Sequence, residues 1–94
     1  MKVGHKPSAS HPTLTSSAAV AVGPGAVTGI FVSAASSTPT IKLWDNATAG
    51  SGTVLLDQFT PVAGTMYSFP DLAYNNGVFI TIGGTVTCNV MTRN

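Results

Sequence analysis

Asp45, Asp57 and Asp71 are the only acidic side chains in the chain, so any acid–base pair or oxygen-ligated metal site must be drawn from them. Asp45 stands at a strand end beside a loop, and Asp71 follows Pro70 in a turn; at both places aspartate is favoured for bonding nearby backbone groups. Asp57 falls diagonal to Lys42 across a strand pair, a contact worth at most about 1 kcal/mol. His5 and His11 have no thiol or carboxylate near them to complete a metal shell. Serines and threonines are abundant, but there is no G-x-S-x-G elbow, and no histidine follows His11 to act as a base. The glycines punctuate strands and do not form a phosphate cradle ahead of a helix. Cys88 alternates with Val86 and Val90 and reads as a small buried hydrophobe. Asn46-Ala47-Thr48 matches a glycosylation triplet without an export signal to support it. The expectation is a chain without catalytic residues, metal or cofactor. Trp44 is the side chain for which function competes with packing: it suits a core, an interface anchor or a sugar-stacking platform.

What positions Trp44 is the stretch Thr40 to Phe59, which reads as a β-hairpin around a polar, Gly-rich loop at Asn46 to Ser51. Antiparallel pairing about that loop places Ile41 opposite Leu56, Leu43 opposite Val54 and Trp44 opposite Thr53. One face is then apolar, with Ile41, Leu43, Val54 and Leu56 for the core. The other carries Lys42, Trp44, Thr53, Leu55, Asp57 and Phe59, a mixture suited to meeting a partner.

The rest of the chain reads as strands added to this hairpin. Ala18 to Val22 is a small-residue strand ended by Gly23-Pro24-Gly25. Ala26 to Ser33 is a doubly covered central strand, with Ala26, Thr28, Ile30 and Val32 on one side, Val27 and Phe31 on the other, and Gly29 marking a bulge or close approach. Thr65 to Phe69 is a short strand that Pro70-Asp71 turns, and Leu72 to Tyr74 is a further strand or irregular edge. Asn76-Gly77 signals a hairpin. At the end of the chain a three-residue loop, Gly83-Gly84-Thr85, with a glycine in the left-handed region, pairs Ile82 with Val86, Ile80 with Cys88 and Val78 with Val90 on one apolar face. About seven short strands without helical periodicity predict an all-β antiparallel sandwich or jelly-roll-like fold over residues 18–94, a small barrel being the alternative.

Residues 1–17 hold His5, Lys6 and His11 among serines and prolines with no apolar period, and read as an extended arm that a neighbouring subunit orders. The body behind it is thin, because 94 residues bury only about 60–65% of the surface of the unfolded chain. Charged residues make up 7% of the chain against about 25% in a typical domain, so the polar surface is Ser, Thr, Asn and Gly, which desolvate cheaply against other protein. A net charge of +1 argues against nucleic acid as partner. No apolar run approaches the ~20 residues of a membrane span or the about 7–15 of a signal-peptide core. A single cysteine fits assembly in a reducing cytoplasm.

The words Thr40-Ile41-Lys42-Leu43-Trp44-Asp45-Asn46, Ser51-Gly52-Thr53-Val54-Leu55 and Asn76-Gly77-Val78-Phe79-Ile80-Thr81-Ile82-Gly83-Gly84 resemble small virion structural proteins of tailed bacteriophages, over residues 26–90 and without the arm. The resemblance implies a β-sandwich decoration or cement protein, commonly trimeric, that sits on the outer capsid lattice, braces the major capsid protein and is assembled in the host cytoplasm. No catalytic residues belong to that picture. The interface expected on this reading is Lys42, Trp44, Leu55 and Phe59 of the hairpin with His5, Lys6 and His11 of the arm. A receptor- or glycan-binding module of a fibre or tail tip, with Trp44, Tyr67 or Tyr74 stacking on sugar, is the alternative. A self-assembling fibre or lattice subunit is a third class.

Overall fold

The computed structural model describes residues 9–10, 12–36 and 38–93. The expected arm residues His5, Lys6 and His11 lie outside them. The elements are β1 (Ala9–Ser10), β2 (Thr13–Leu14), β3 (Ala18–Val22), β4 (Gly25–Ala35), β5 (Thr40–Asp45), β6 (Thr53–Phe59), β7 (Thr65–Tyr74), β8 (Gly77–Gly83) and β9 (Val86–Arg93), with no helix among the described residues.

They form two antiparallel sheets. One runs β1-β9-β4-β7, with β2 also on the outer side of β9, and the other runs β3-β8-β5-β6. Because β1 and β2 both pair with β9, they act as one broken strand, and each sheet is four strands wide. The pairings are nested: β5 with β6, β4 with β7, β3 with β8, and β1 and β2 with β9. A long hairpin folded over on itself in this way, with β9 also paired to β4 and β8 to β5, is a jelly roll. The expected β-sandwich is the architecture found, and the Thr40–Phe59 hairpin is its innermost pair.

The four inner strands supply the core. Val27, Ile30 and Val32 of β4 and Val86, Cys88 and Val90 of β9 face Ile41 and Leu43 of β5 and Val78 and Ile80 of β8, all essentially without exposure. Side chains of that size contribute roughly 1.5–3 kcal/mol each when withdrawn from water. In β9 the alternation is unbroken, from Val86 through Cys88 and Val90 to Thr92. In β4 the ladders to both neighbours shift between Val27 and Gly29. This bulge at Thr28 turns Val27 inward beside Ile30 and Val32 and leaves Phe31 on the other side, correcting the expectation that Val27 and Phe31 share a face. Gly29 lies at the bulge as expected, where a Cβ would strike the Met66 side chain at 2.5 Å.

Three further expectations are corrected. Gly83-Gly84-Thr85 and Asn75-Asn76-Gly77 do not close hairpins: β7, β8 and β9 alternate between the sheets, so both connections arch over the core. Gly84 does occupy the left-handed region, at φ 74. β8 has its two edges filled by β3 and β5, and β9 has its edges filled by β4 and the β1–β2 strand, so the two cannot also pair with each other. Their apolar faces meet across the sandwich instead. Pro70-Asp71 does not end its strand either. β7 continues through it, with Asp71 at φ 63 and its carboxylate accepting a 2.7 Å bond from the Arg93 guanidinium. The described part of the arm lies along its own subunit: Thr13 pairs with Asn89, Leu14 packs against the core, and the Asn89 amide donates to the Thr13 hydroxyl at 2.9 Å.

Each outer strand carries a feature that interrupts pairing with another chain. Pro12 separates β1 from β2, β3 is bulged between Ala19 and Ala21, β6 makes two register shifts against β5, and β7 has the Pro70-Asp71 excursion. Edge-to-edge growth is thereby opposed.

Candidate functional site

The β5–β6 hairpin determines which side chains reach the surface, and its register differs from the uniform one. Asp45 pairs with Thr53, Trp44 with Val54, Leu43 with Leu56 and Ile41 with Phe59. Two one-residue shifts accumulate along β6. Leu55 is the extra residue between the Trp44 and Leu43 pairs, and Asp57 and Gln58 together face Lys42. The first shift moves Val54 out of the core to 40% exposure. The second brings Phe59 inward, so Leu55, Leu56 and Phe59 all pack against the core cluster. The expected surface group is therefore divided: Lys42 and Trp44 remain on the outer face, whereas Leu55 and Phe59 are core-flanking. The Lys42–Asp57 pair forms as expected, at 3.8 Å.

Register then assembles a row that crosses the outer face of the sheet. Val54 of β6 pairs with Trp44 of β5, Trp44 with Phe79 of β8, and Phe79 with Ala19 of β3. Four apolar side chains from four strands thus stand side by side on the side away from the core. The Trp44 indole is fixed in place: its Nε1–H donates to the Thr81 hydroxyl at 2.9 Å, and the Lys42 ammonium lies 4.4 Å from its ring centroid. The hairpin loop folds against this group, because a Cβ on Gly50 would come within 2.7 Å of the Thr81 hydroxyl and 3.3 Å of Trp44 Nε1. Asn46 shapes the loop, its Oδ1 accepting from the Thr48 and Ala49 amides at 2.8 and 3.0 Å and its Nδ2 donating to the Ser51 carbonyl at 3.1 Å. The side-chain nitrogen that glycosylation would use is engaged within the loop.

Val54, Phe79 and Ala19 are the members of the row that sequence reasoning missed. The signal available was the run Val54-Leu55-Leu56, which strict alternation cannot bury and a bulge can.

A second apolar feature opens between the edge strands β6 and β7. Leu56, Phe59, Tyr67 and Phe69 line a cleft of about 150 Å³. Phe59 and Tyr67 meet edge to face, with centroids 5.0 Å apart, and the Tyr67 hydroxyl accepts from the Val62 amide at 2.9 Å. The polar tip of Tyr67 is spent on the Pro61–Gly64 connection.

Asp45 has a role of a different kind. Its carboxylate accepts from the Asn76 amide at 2.9 Å and from the Asn75 amide at 3.1 Å, tying the hairpin to the β7–β8 arch. Hydrogen bonds from Asn76 first, then Asn75, favour the ionised form and hold Asp45 below the usual aspartate range. With the folded-state value depressed, the stabilisation is complete above the unfolded value and is lost as pH falls through the folded one. Asp45→Asn is expected to cost about 1 kcal/mol at neutral pH, as for an exposed charge-assisted bond, and to flatten the fall in stability below about pH 4. Urea midpoints of both proteins between pH 2.5 and 7 check this; an equal acid slope in the two would count against it.

The remaining polar groups do not converge. Burial pushes the Cys88 thiol up, away from the reactive thiolate. Among the described residues no group of three or more His, Cys, Asp or Glu is placed to hold a metal ion. No protein-family model matches the chain, and no curated protein or solved structure matches it.

Proposed function

We propose that this chain is a phage capsid decoration protein that binds the outer capsid lattice and stabilises it through the outer face of the hairpin sheet and through its N-terminal arm. The observation that carries the reading is the Val54–Trp44–Phe79–Ala19 row, an apolar line on the solvent side of a sheet whose core lies on the other side. A partner that covered the row would withdraw it from water at the usual gain of roughly 25 cal/mol per Å² of apolar area. Trp44 is the anchor, already oriented by Thr81 and Lys42 and so losing little freedom on docking. The charge-poor surface and the interrupted sheet edges favour face-on contact with other protein. The partner is the major capsid protein, with self-association as a trimer beside it. A sugar-stacking role for Trp44 draws less support, because its indole N–H is committed to Thr81 and its ring already carries a lysine.

Val54 tests this, since at 40% exposure it tolerates a charge that the interface would not. Val54→Asp is expected to leave the unfolding midpoint nearly unchanged and to weaken binding to empty capsids by at least about tenfold, the cost of an unpaired charge in a buried row. Sedimentation of the mixture with capsids reads the occupancy. Full occupancy by the variant would overturn the docking face. Removing residues 1–11, which leaves Leu14 against the core, separates the contribution of the arm from that of the fold. Light scattering of the purified protein tests the trimer.

A further inference from the structure

The Asn75-Asn76-Gly77 segment does not make the hairpin its sequence suggests, and its chemistry has another outlet. An Asn-Gly sequence is prone to an intramolecular reaction, because a glycine nitrogen approaches the preceding asparagine side chain without hindrance from a Cβ. Asn76 is exposed and Gly77 is buried. Three structural constraints act on the peptide group between them. The Asn76 carbonyl accepts from the Gly23 amide at 2.9 Å. The Asn75 and Asn76 amides donate to the Asp45 carboxylate, and the Gly77 amide also stabilises that anion. Gly77 is wedged against the Ala21 carbonyl and the Ala47 backbone. Successive amides pointing at one anion form a nest, here filled by a side chain from the hairpin 30 residues away.

We propose that Asn76 is a site of spontaneous covalent modification and that Asp45 and Gly23 keep the folded arch out of the reaction, so that it proceeds through local opening of the arch. In the step itself the Gly77 nitrogen gives up its proton to water or hydroxide and attacks Asn76 Cγ. The N–Cγ bond forms, the Cγ–Nδ2 bond breaks, and Nδ2 leaves as ammonia after taking up a proton. Water then opens the five-membered imide at either carbonyl, leaving aspartate or isoaspartate at position 76. No oxidant or cofactor takes part.

The structure explains both the restraint and the consequence. A carboxylate facing the Gly77 amide opposes the loss of its proton, since a second negative charge would arise beside the first. The Gly23 bond and the Ala21 and Ala47 contacts fix the plane that must rotate for the ring to close. Once formed, the product is incompatible with this closure. Aspartate sets a second anion beside Asp45, and isoaspartate adds a methylene to the backbone where Gly77 has no room for one. The arch then holds less firmly than before, and the change is one-way.

Full-length protein incubated at pH 8 and 37 °C provides the test, with peptide mass mapping of the one-dalton gain and chromatographic separation of the isoaspartyl form. Folded wild type is expected to react at Asn76 ahead of every other asparagine, at least about tenfold more slowly than in urea, and Asp45→Asn severalfold faster than folded wild type. Amide exchange at Asn75 and Asn76 in the wild type gives the open fraction independently, and the folded rate should equal the unfolded rate multiplied by it. That comparison stands even where Asp45→Asn fails to fold. Reaction first at another asparagine, equal rates in folded and unfolded chains, or a rate unrelated to the exchange-derived open fraction would overturn the proposal.

Discussion

Gly77→Ala is expected to remove about 2–6 kcal/mol of stability, a large share of the roughly 5–14 kcal/mol available to a chain of 94 residues. Two costs combine. The residue sits at φ 151, a conformation that side chains with a Cβ rarely adopt, and backbone strain of this kind costs about 1–3 kcal/mol. A Cβ there would also meet the Ala21 carbonyl oxygen, Ala47 Cα at 2.9 Å and Ala47 Cβ at 3.1 Å. Two of those atoms are backbone, one from the outer strand β3 and one from the hairpin loop, so relief requires moving an element and not a rotamer; overpacking adds about 1–3 kcal/mol. Gly64→Ala is the matched control. Gly64 has a positive φ of 78 with nothing within 4 Å of a built Cβ, and its replacement should cost only about 1–2 kcal/mol. Urea unfolding followed by Trp44 fluorescence measures both. If the two variants fell equally, the contacts of Gly77 would have no energetic meaning and the cost would be conformational alone.

The importance of Gly77 follows from what the arch does. Asn75 and Asn76 take the chain from one sheet to the other in two residues, and the short connection is held by Asp45 from the hairpin and by Gly23 from the preceding arch. Three connections meet at this end of the sandwich. The same closure that makes Gly77 intolerant of a methyl group sets the reaction rate at Asn76, and Asp45 links the two.

Where a strand is free of bulges, as in β8 and β9, periodicity reveals which face it buries but not which strand lies beside it. Alternation places Val78 and Ile80 with Cys88 and Val90 on one apolar surface, and all four are fully buried together. An alternating pattern is satisfied equally by a neighbour across a hydrogen-bonded ladder and by one across the core, and here the second holds. Choosing between them requires knowing that other strands have filled the edges, which is a property of the whole topology. Gly-rich connections are ambiguous for the same reason: a left-handed glycine such as Gly84 serves an arch as well as a hairpin. Bulges were the other limit. Gly29 announced one through its lack of a side chain, whereas the shift at Leu55 is marked only by the apolar run Val54-Leu55-Leu56 and the one at Asp57-Gln58 leaves no compositional mark. Trp44 and Lys42 keep their places because both extra residues lie on β6 and the alternation of β5 is unbroken; Val54 and Phe59, on the strand that absorbs the extra residues, do not. The role of Asp45 as a backbone acceptor was legible in kind, but its partners lie 30 and 31 residues away.

The register itself has an energetic signature. Under uniform pairing Leu43 and Val54 face each other in the core, and truncating either side chain would open a cavity. In the structure Leu43 is fully buried, paired with Leu56 on one side and Ile80 on the other, while Val54 stands on the outer face. Leu43→Ala is therefore expected to cost about 2–5 kcal/mol, and Val54→Ala to stay within about 0.5 kcal/mol of wild type. For a domain of this size the first corresponds to a fall in melting temperature on the order of 10–40 °C and the second to a change of no more than about 4 °C. Leu56→Ala should fall between them, because Leu56 is half-buried at the edge cleft and its loss enlarges a space already open to solvent. The order Leu43, Leu56, Val54 follows only from the bulged ladder. A large loss at Val54 would restore the uniform register, return Phe59 to the outer face, and remove the apolar row on which the docking surface rests.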